Sequence, residues 1–193
     1  MKRFCLVRHG QTDWNLEGRF QGQSDTPLNQ TGRAEAQSLA EQLRGQSFKA
    51  IFTSDLMRAI ETAEIIAAML GLPVSPEPRL REINQGEWEG QFVEDIKARS
   101  AENWDQRTID PANFHPPGGE SVVEVAERTQ AAMSNIAHLY PTGSVLIISH
   151  GLALATIICQ EGGIPLADAF RHIPENATPI WVDWDDIHSS NLM

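Results

Sequence analysis

Apolar positions along this chain recur in two alternating periods, and the alternation predicts its architecture. The run RFCLVR (residues 3–8) stops at His9-Gly10, as a buried strand meeting a glycine turn would. A polar, glycine-bearing loop is expected from there to about Asn29. Ala36, Leu39, Ala40 and Leu43 then recur at helical spacing, with Thr31 as the expected N-cap and Gly45 as the stop. Phe48–Thr53 predicts a second strand. Ser54 and Asp55 are placed to cap the next helix, whose apolar face is Leu56, Ala59, Ile60, Ala63, Ala67 and Leu70, and Gly71-Leu72-Pro73 ends it.

From Pro76 to Gly119 the pattern weakens to one short helical candidate near residues 93–100 and a PPGG turn. Ser121 and Glu124 then form a capping box that opens a long helix with Val122, Val125, Ala126, Thr129, Met133, Ile136, Ala137 and Tyr140 on its apolar face. Residues 144–149 (SVLIIS) predict a buried strand that again ends in His-Gly, at His150-Gly151. Residues 152–159 predict a buried helix, and residues 178–184 a last strand that Pro179 assigns to an edge. Strands alternating with helices imply a mostly parallel sheet covered on both faces. With no repeat, linker or low-complexity tract, one domain over residues 1–193 is expected.

Composition narrows the partners more than the fold. The 193 residues carry 15 Lys+Arg against 26 Asp+Glu, a net charge of −11, and no cluster of five or more basic residues, which argues against a nucleic-acid backbone as ligand. No run approaches the roughly 18 apolar residues of a membrane helix, and the apolar stretch from Phe4 to Val7 is too short for a secretory signal. Cys5 and Cys159 sit in apolar runs without metal spacing, as buried free thiols do. A cytoplasmic location is expected. The overall charge repels anions at long range, so any phosphate site must be a local concentration of positive groups.

Such a concentration is visible. Two parallel strands ending in Arg8-His9-Gly10 and Ser149-His150-Gly151 bring two imidazoles to the carboxyl edge of one sheet, where open α/β sheets bind ligands. Arg58 falls in the first turn of the helix after the second strand, at the same edge and near a helix N-terminus. Two arginines, two imidazoles and a helix N-terminus suit a phosphoryl group, which an arginine fork grips through two oxygens at once. Taken singly, each residue has a plainer use: Arg58 beside Asp55 and Glu61 on its own helix, Glu82 beside Arg79 or Arg81, each histidine in a turn. The histidines, His9, His115, His138, His150, His172 and His188, form no metal-ligand spacing. Walker, dinucleotide and GxSxG motifs are absent, so no metal and no cofactor are expected.

The segment LVRHGQTDWN (residues 6–15) closely resembles the N-terminal signature of the histidine phosphatase superfamily, which includes the cofactor-dependent phosphoglycerate mutases. The resemblance continues through Phe20-Gln21-Gly22, Asp25-Thr26-Pro27-Leu28, Thr31-Gly32, Ser54 to Ala59, Glu82 with Gly86-Glu87-Trp88-Glu89-Gly90, Pro117 to Ser121, and Ser149-His150-Gly151. It implies a three-layer α/β/α sandwich. It also implies His9 as a nucleophile that becomes phosphorylated, Arg8, Arg58 and His150 as holders of the phosphoryl oxygens, and Glu82 as proton donor to the leaving oxygen. Asn15, Gln21, Gly22 and Gly151 match positions that contact phosphate or substrate.

Departures from the mutase pattern favour a phosphatase. Mutases of the family follow the acid with an Arg-His-Tyr-like sequence and a nearby lysine; here Glu82 is followed by Ile83-Asn84-Gln85, with no lysine until Lys97. Gln11 and Leu152 also replace residues common in mutases. The expected activity is phosphomonoesterase on a small phosphorylated metabolite, with neither nucleic acid nor membrane as partner and a homo-oligomer left open. A phosphoglycerate-type mutase and a non-catalytic phosphate-binding protein are the alternatives. Trp14, Trp88, Trp104, Arg99 and Arg107 are candidates for the pocket wall, with a structural role for each equally open.

Overall fold

The computed structural model describes residues 2–184, so His188 lies outside the described residues. Five strands form one sheet in the order β3-β2-β4-β1-β5: β1 Lys2–Arg8, β2 Phe48–Thr53, β3 Val74–Pro76, β4 Gly143–Ser149 and β5 Pro179–Asp183. Every pairing is parallel except β1 with β5, and β5 lies at the edge that Pro179 predicted. The central strands β1 and β4 pair in register from Lys2↔Gly143 to Arg8↔Ser149, so both His-Gly ends emerge side by side.

The period-2 alternation sorts the strand residues onto two cores. Phe4, Leu6, Val145 and Ile147 face α6 (Val122–Leu139) and α7 (Gly151–Gly162) through Met133, Ile136, Leu154 and Ile157. Cys5, Val7, Leu146 and Ile148 face α2 (Gln30–Leu43) and α3 (Met57–Leu70) through Leu39, Leu43, Ala63 and Ile66. The result is the expected α/β/α sandwich. One irregularity breaks the alternation: Phe48 and Ala50 stand opposite the consecutive residues Ser144 and Val145. This bulge puts Phe48 in the second core and Ala50 in the first.

Capping differs from the sequence expectation in three places. Asn29, not Thr31, caps α2, its side chain accepting from Gly32 N; helix α2 ends at Leu43, with Arg44 rather than Gly45 as its C-cap. Neither Ser54 nor Asp55 caps α3: Leu56 holds that position without a side-chain bond, while Asp55 pairs with Arg81. The Ser121–Glu124 capping box on α6 forms as read. Three short helices went unread or half-read: α1 (Asp13–Glu17), α4 (Val93–Arg99) and α5 (Ala101–Ile109). Among the described residues no helix is long and apolar enough to cross a membrane, and both cysteines are buried and free.

Candidate active site

His9 and His150 follow β1 and β4 and are 2% and 0% exposed; their ring centroids lie 5.1 Å apart, tilted by 58°. The backbone fixes the His9 tautomer. Nδ1 is 2.7 Å from Gly10 O, an acceptor only, so Nδ1 carries the proton and donates it. Nε2 is left with its lone pair and receives Arg58 Nε at 3.3 Å. Asn176 Nδ2 donates to His9 O at 2.6 Å, tying the turn to the segment before β5. His150 is the N-cap residue of α7, and Gly151 opens that helix.

Arg58 does not use the acidic neighbours on its own helix. Glu61 pairs with Arg33, and the Arg58 guanidinium donates instead to Gly22 O at 2.7 Å and Ser24 O at 2.8 Å. Gly22 is suited to this cradle: its φ is +51°, and a β-carbon there would meet Glu89 Oε1 at 2.1 Å. Burial pushes the Arg58 pKa down to about 10, against the pull of Glu82, Asp25 and Glu89. Arg8, held by Pro174 O at 3.0 Å, is likewise lowered by burial, with Glu82 and Glu35 opposing.

Glu82 also departs from its plain reading. Arg79 pairs with Glu77 and Arg81 with Asp55, whereas the Glu82 carboxylate accepts from Leu152 N at 3.2 Å and Ala153 N at 3.1 Å, the first amides of α7. A β-carbon at Gly151 would lie 3.5 Å from Glu82 Oε2 and 3.6 Å from Arg8 Cζ, which places the acid, the arginine and the helix start around one point. Asn15 and Gln21 meet across Thr12. The Asn15 amide oxygen accepts from Thr12 N at 3.0 Å within a capping box on α1, and that of Gln21 accepts from the hydroxyls of Thr12 and Thr26. With both amide oxygens engaged, each side chain offers its NH2 group as donor.

Three buried nitrogens in this cluster, Arg8 Nε and both ring nitrogens of His150, have no hydrogen-bond partner among the described residues. Buried polar groups are nearly always paired, so Arg8 Nε and the single N–H that a neutral His150 carries mark where a ligand's oxygens belong. Among the described residues no three His, Cys, Asp or Glu side chains gather closely enough to hold a metal ion.

The aromatic candidates divide. Trp88 is buried and packs with Phe20, Trp104 and Phe114, behind the loop that carries Gln21 and Gly22. The Arg107 guanidinium lies 4.8 Å over Trp104 and 4.1 Å over Phe170, where burial lowers its pKa. Arg99 is exposed and stands 3.8 Å from Asp95. Two residues with no role in the sequence reading adjoin the site: Arg128 donates to Glu82 O and to the carboxylate of Glu120, which lies within the Pro117–Ser121 segment of the resemblance.

Burial, then Arg58, pushes His9 well below the ordinary histidine value. Burial, Arg58, His9 and Arg128 do the same to His150. Both rings are therefore neutral at pH 7 in the fold, while the unfolded chain takes up protons below about pH 6.5. The unfolded state then binds more protons, so stability is level above that pH. It falls on acidification by up to ~1.4 kcal/mol per pH unit for each histidine. Urea midpoints at pH 7.5, 6.5 and 5.5 should decline in that order, above the range where the lowered carboxyls of Asp55, Glu77 and Glu124 contribute. A midpoint constant to pH 5.5 would mean the two imidazoles are not held neutral.

The profile of the histidine phosphatase superfamily (branch 1) matches residues 4–191. A probable phosphoglycerate mutase GpmB from Photorhabdus laumondii is 40% identical over 167 residues, covering 86% of this chain and 77% of that one. Among solved structures, the mycobacterial glucosyl-3-phosphoglycerate phosphatase in complex with VO3 superposes with a TM-score of 0.89 at 31% identity, covering 98% of this chain and 95% of the other. The α-ribazole phosphatase of Shigella flexneri superposes at 0.86 with 28% identity, covering 95% and 91%. A match over nearly the whole length, on a fold whose paired His-Gly ends meet at one sheet edge, means that this chain belongs to the histidine phosphatase superfamily.

Proposed function

We propose that this chain is a cytoplasmic phosphomonoesterase that hydrolyses a small phosphorylated metabolite through a phosphohistidine on His9. The observation that carries this reading is the set of unpaired buried nitrogens on Arg8 and His150 in the same cluster as a His9 whose Nε2 is unprotonated. The Gly10 carbonyl takes the Nδ1 proton, and the Nε2 lone pair is met by a long 3.3 Å contact from Arg58 that an incoming phosphoryl group would displace. His9 Nε2 attacks phosphorus as the P–O ester bond breaks, and the leaving oxygen takes a proton from Glu82. Arg8, Arg58, His150 and the NH2 groups of Asn15 and Gln21 stabilise the equatorial oxygens, with Gly22 and Gly151 lining the same site. Gly10 O holds the Nδ1 proton while positive charge develops on the ring. Water then attacks phosphorus, Glu82 accepts its proton, and the P–N bond breaks with its electron pair returning to Nε2.

Both structural relatives described above are named phosphatases, which supports hydrolysis, and they are named for different substrates. The second reading, a phosphoglycerate-type mutase, is favoured by the name of the 40%-identical relative. Against it, Ile83-Asn84-Gln85 supplies no cation after Glu82, and Lys97 is taken up by Glu94 at 2.6 Å. One assay separates them. With 3-phosphoglycerate primed by 2,3-bisphosphoglycerate, and with a panel of other phosphomonoesters, phosphate release should exceed isomer interconversion. Interconversion outpacing release would establish the mutase, and no turnover of any member would leave a phosphate-binding protein.

A further inference from the structure

We propose that Arg128, with Glu120, is a positioning residue that sets the placement of Glu82 for proton transfer; this rests on Glu82 being the proton donor. The segment carrying Glu82 has little regular structure. It makes one 3₁₀ turn at Pro78–Leu80 and then runs without a strand ladder to fix its carbonyls. Those carbonyls converge on one guanidinium. Arg128 donates to Arg79 O at 2.8 Å, Arg81 O at 2.6 Å and Glu82 O at 2.9 Å, and to the two oxygens of Glu120 at 3.0 and 3.1 Å. These five bonds equal the full donor complement of an arginine.

Glu120 extends the clamp to the rest of the site. Its Oε2 accepts from Asn84 N at 2.8 Å, two residues beyond the acid, and lies 3.5 Å from Gln23 Nε2. Gln23 Nε2 also donates to Glu82 O at 3.2 Å, and Gln23 sits between Gly22 and Ser24, the two residues whose carbonyls hold Arg58. Glu82 is thus fixed at both ends: its carbonyl by α6 through Arg128, its carboxylate by the first amides of α7. The two helices are themselves joined by the Thr129–Thr156 hydroxyl pair at 3.0 Å and by Gln160 donating to Ala126 O. A carboxyl group held this way keeps its reach to a leaving oxygen, and a misplacement of 1 Å in such a group costs about 10²-fold.

The test uses a readout that a stabilising strut alone would not move. The kcat/KM of Arg128→Met, which reports the step up to departure of the leaving group, should fall about 10–100-fold on the alkyl phosphate that the wild type hydrolyses best, and less than about 3-fold on p-nitrophenyl phosphate, whose leaving group needs little protonation. The ratio of the two rates cancels any loss of folded protein. Arg128→Lys should recover part of the alkyl activity. If Arg128→Met does not fold, Glu120→Gln should shift the ratio in the same direction by a smaller factor. Glu82→Gln is measured alongside. A ratio that changes for Glu82→Gln but not for the clamp variants overturns this proposal alone. A ratio unchanged in Glu82→Gln overturns the proton-donor role and this proposal with it, and equal losses on both substrates in Arg128→Met reduce Arg128 to a strut.

Discussion

Replacing His9 with alanine is expected to lower turnover of every phosphomonoester by about 10⁴-fold or more, the scale on which losing a covalent nucleophile acts. Arg8, Arg58 and His150 would remain to bind phosphate but would have no atom to transfer it to. Brief reaction with labelled substrate and an alkaline quench should leave acid-labile, alkali-stable phosphate on the wild type and none on the variant. His9 is buried and its Nδ1 satisfies Gly10 O, so alanine also leaves a cavity and an unpaired carbonyl. His9→Asn, which keeps a donor near that carbonyl, is the companion variant. Either variant retaining turnover within tenfold of wild type would remove His9 as the nucleophile.

The second large effect belongs to Glu82. Glu82→Gln should lower kcat/KM, which ends at departure of the leaving group, by about 10²–10⁴-fold on alkyl phosphates and far less on aryl phosphates. The side chain brings a structural complication that the measurement must separate. Both carboxylate oxygens accept backbone N–H groups, Oε2 from Leu152 and Oε1 from Ala153 and Ile83. Glutamine has one oxygen to offer, so an NH2 group would face a backbone donor. Losing that bond costs about 1–3 kcal/mol of stability, which a thermal melt detects, whereas the leaving-group dependence reports the proton. Equal losses on both substrate types would assign the proton to another group.

Four of the five strands and the four long helices are legible because their apolar periods are long and uninterrupted, whereas the three-residue edge strand β3 is too short to show a period. Thus 48–53 was read to the residue, and the capping box at Ser121 fixed the start of α6. The elements at the sheet edge were not legible, for a physical reason. Arg58 was weighed against Asp55 and Glu61 because charge pairing is readable along a helix. Its actual partners are the carbonyls of Gly22 and Ser24, which every residue possesses and no sequence pattern announces. The same holds for Arg128, whose partners are three carbonyls of a distant segment. The α1 turn was hidden because Thr12 and Asn15 read as polar loop, although Thr-x-x-Asn is the capping arrangement they adopt. The strand ends and the start of α3 bring Arg8, His9, Arg58 and His150 to one edge from the sequence pattern alone, and the resemblance adds Glu82 and the individual roles; their surroundings came only from the fold.

The register of β1 against β4 has a bearing on how the site comes into being during synthesis. Arg8 lies opposite Ser149, so the two halves of the phosphoryl cradle are neighbours in space but about 140 residues apart along the chain. Contacts of such separation form late, after the loop-closure entropy of the whole intervening segment has been overcome. A nascent chain carries β1 and His9 well before β4 is made, yet has no paired imidazoles until β4 has emerged and inserted between β1 and β2. Under the proposed function, phosphate affinity is therefore expected as a late marker of assembly. A partly made or proteolytically shortened chain lacking β4 would hold His9 without His150 beside it, and so without the paired imidazoles on which the proposed function depends.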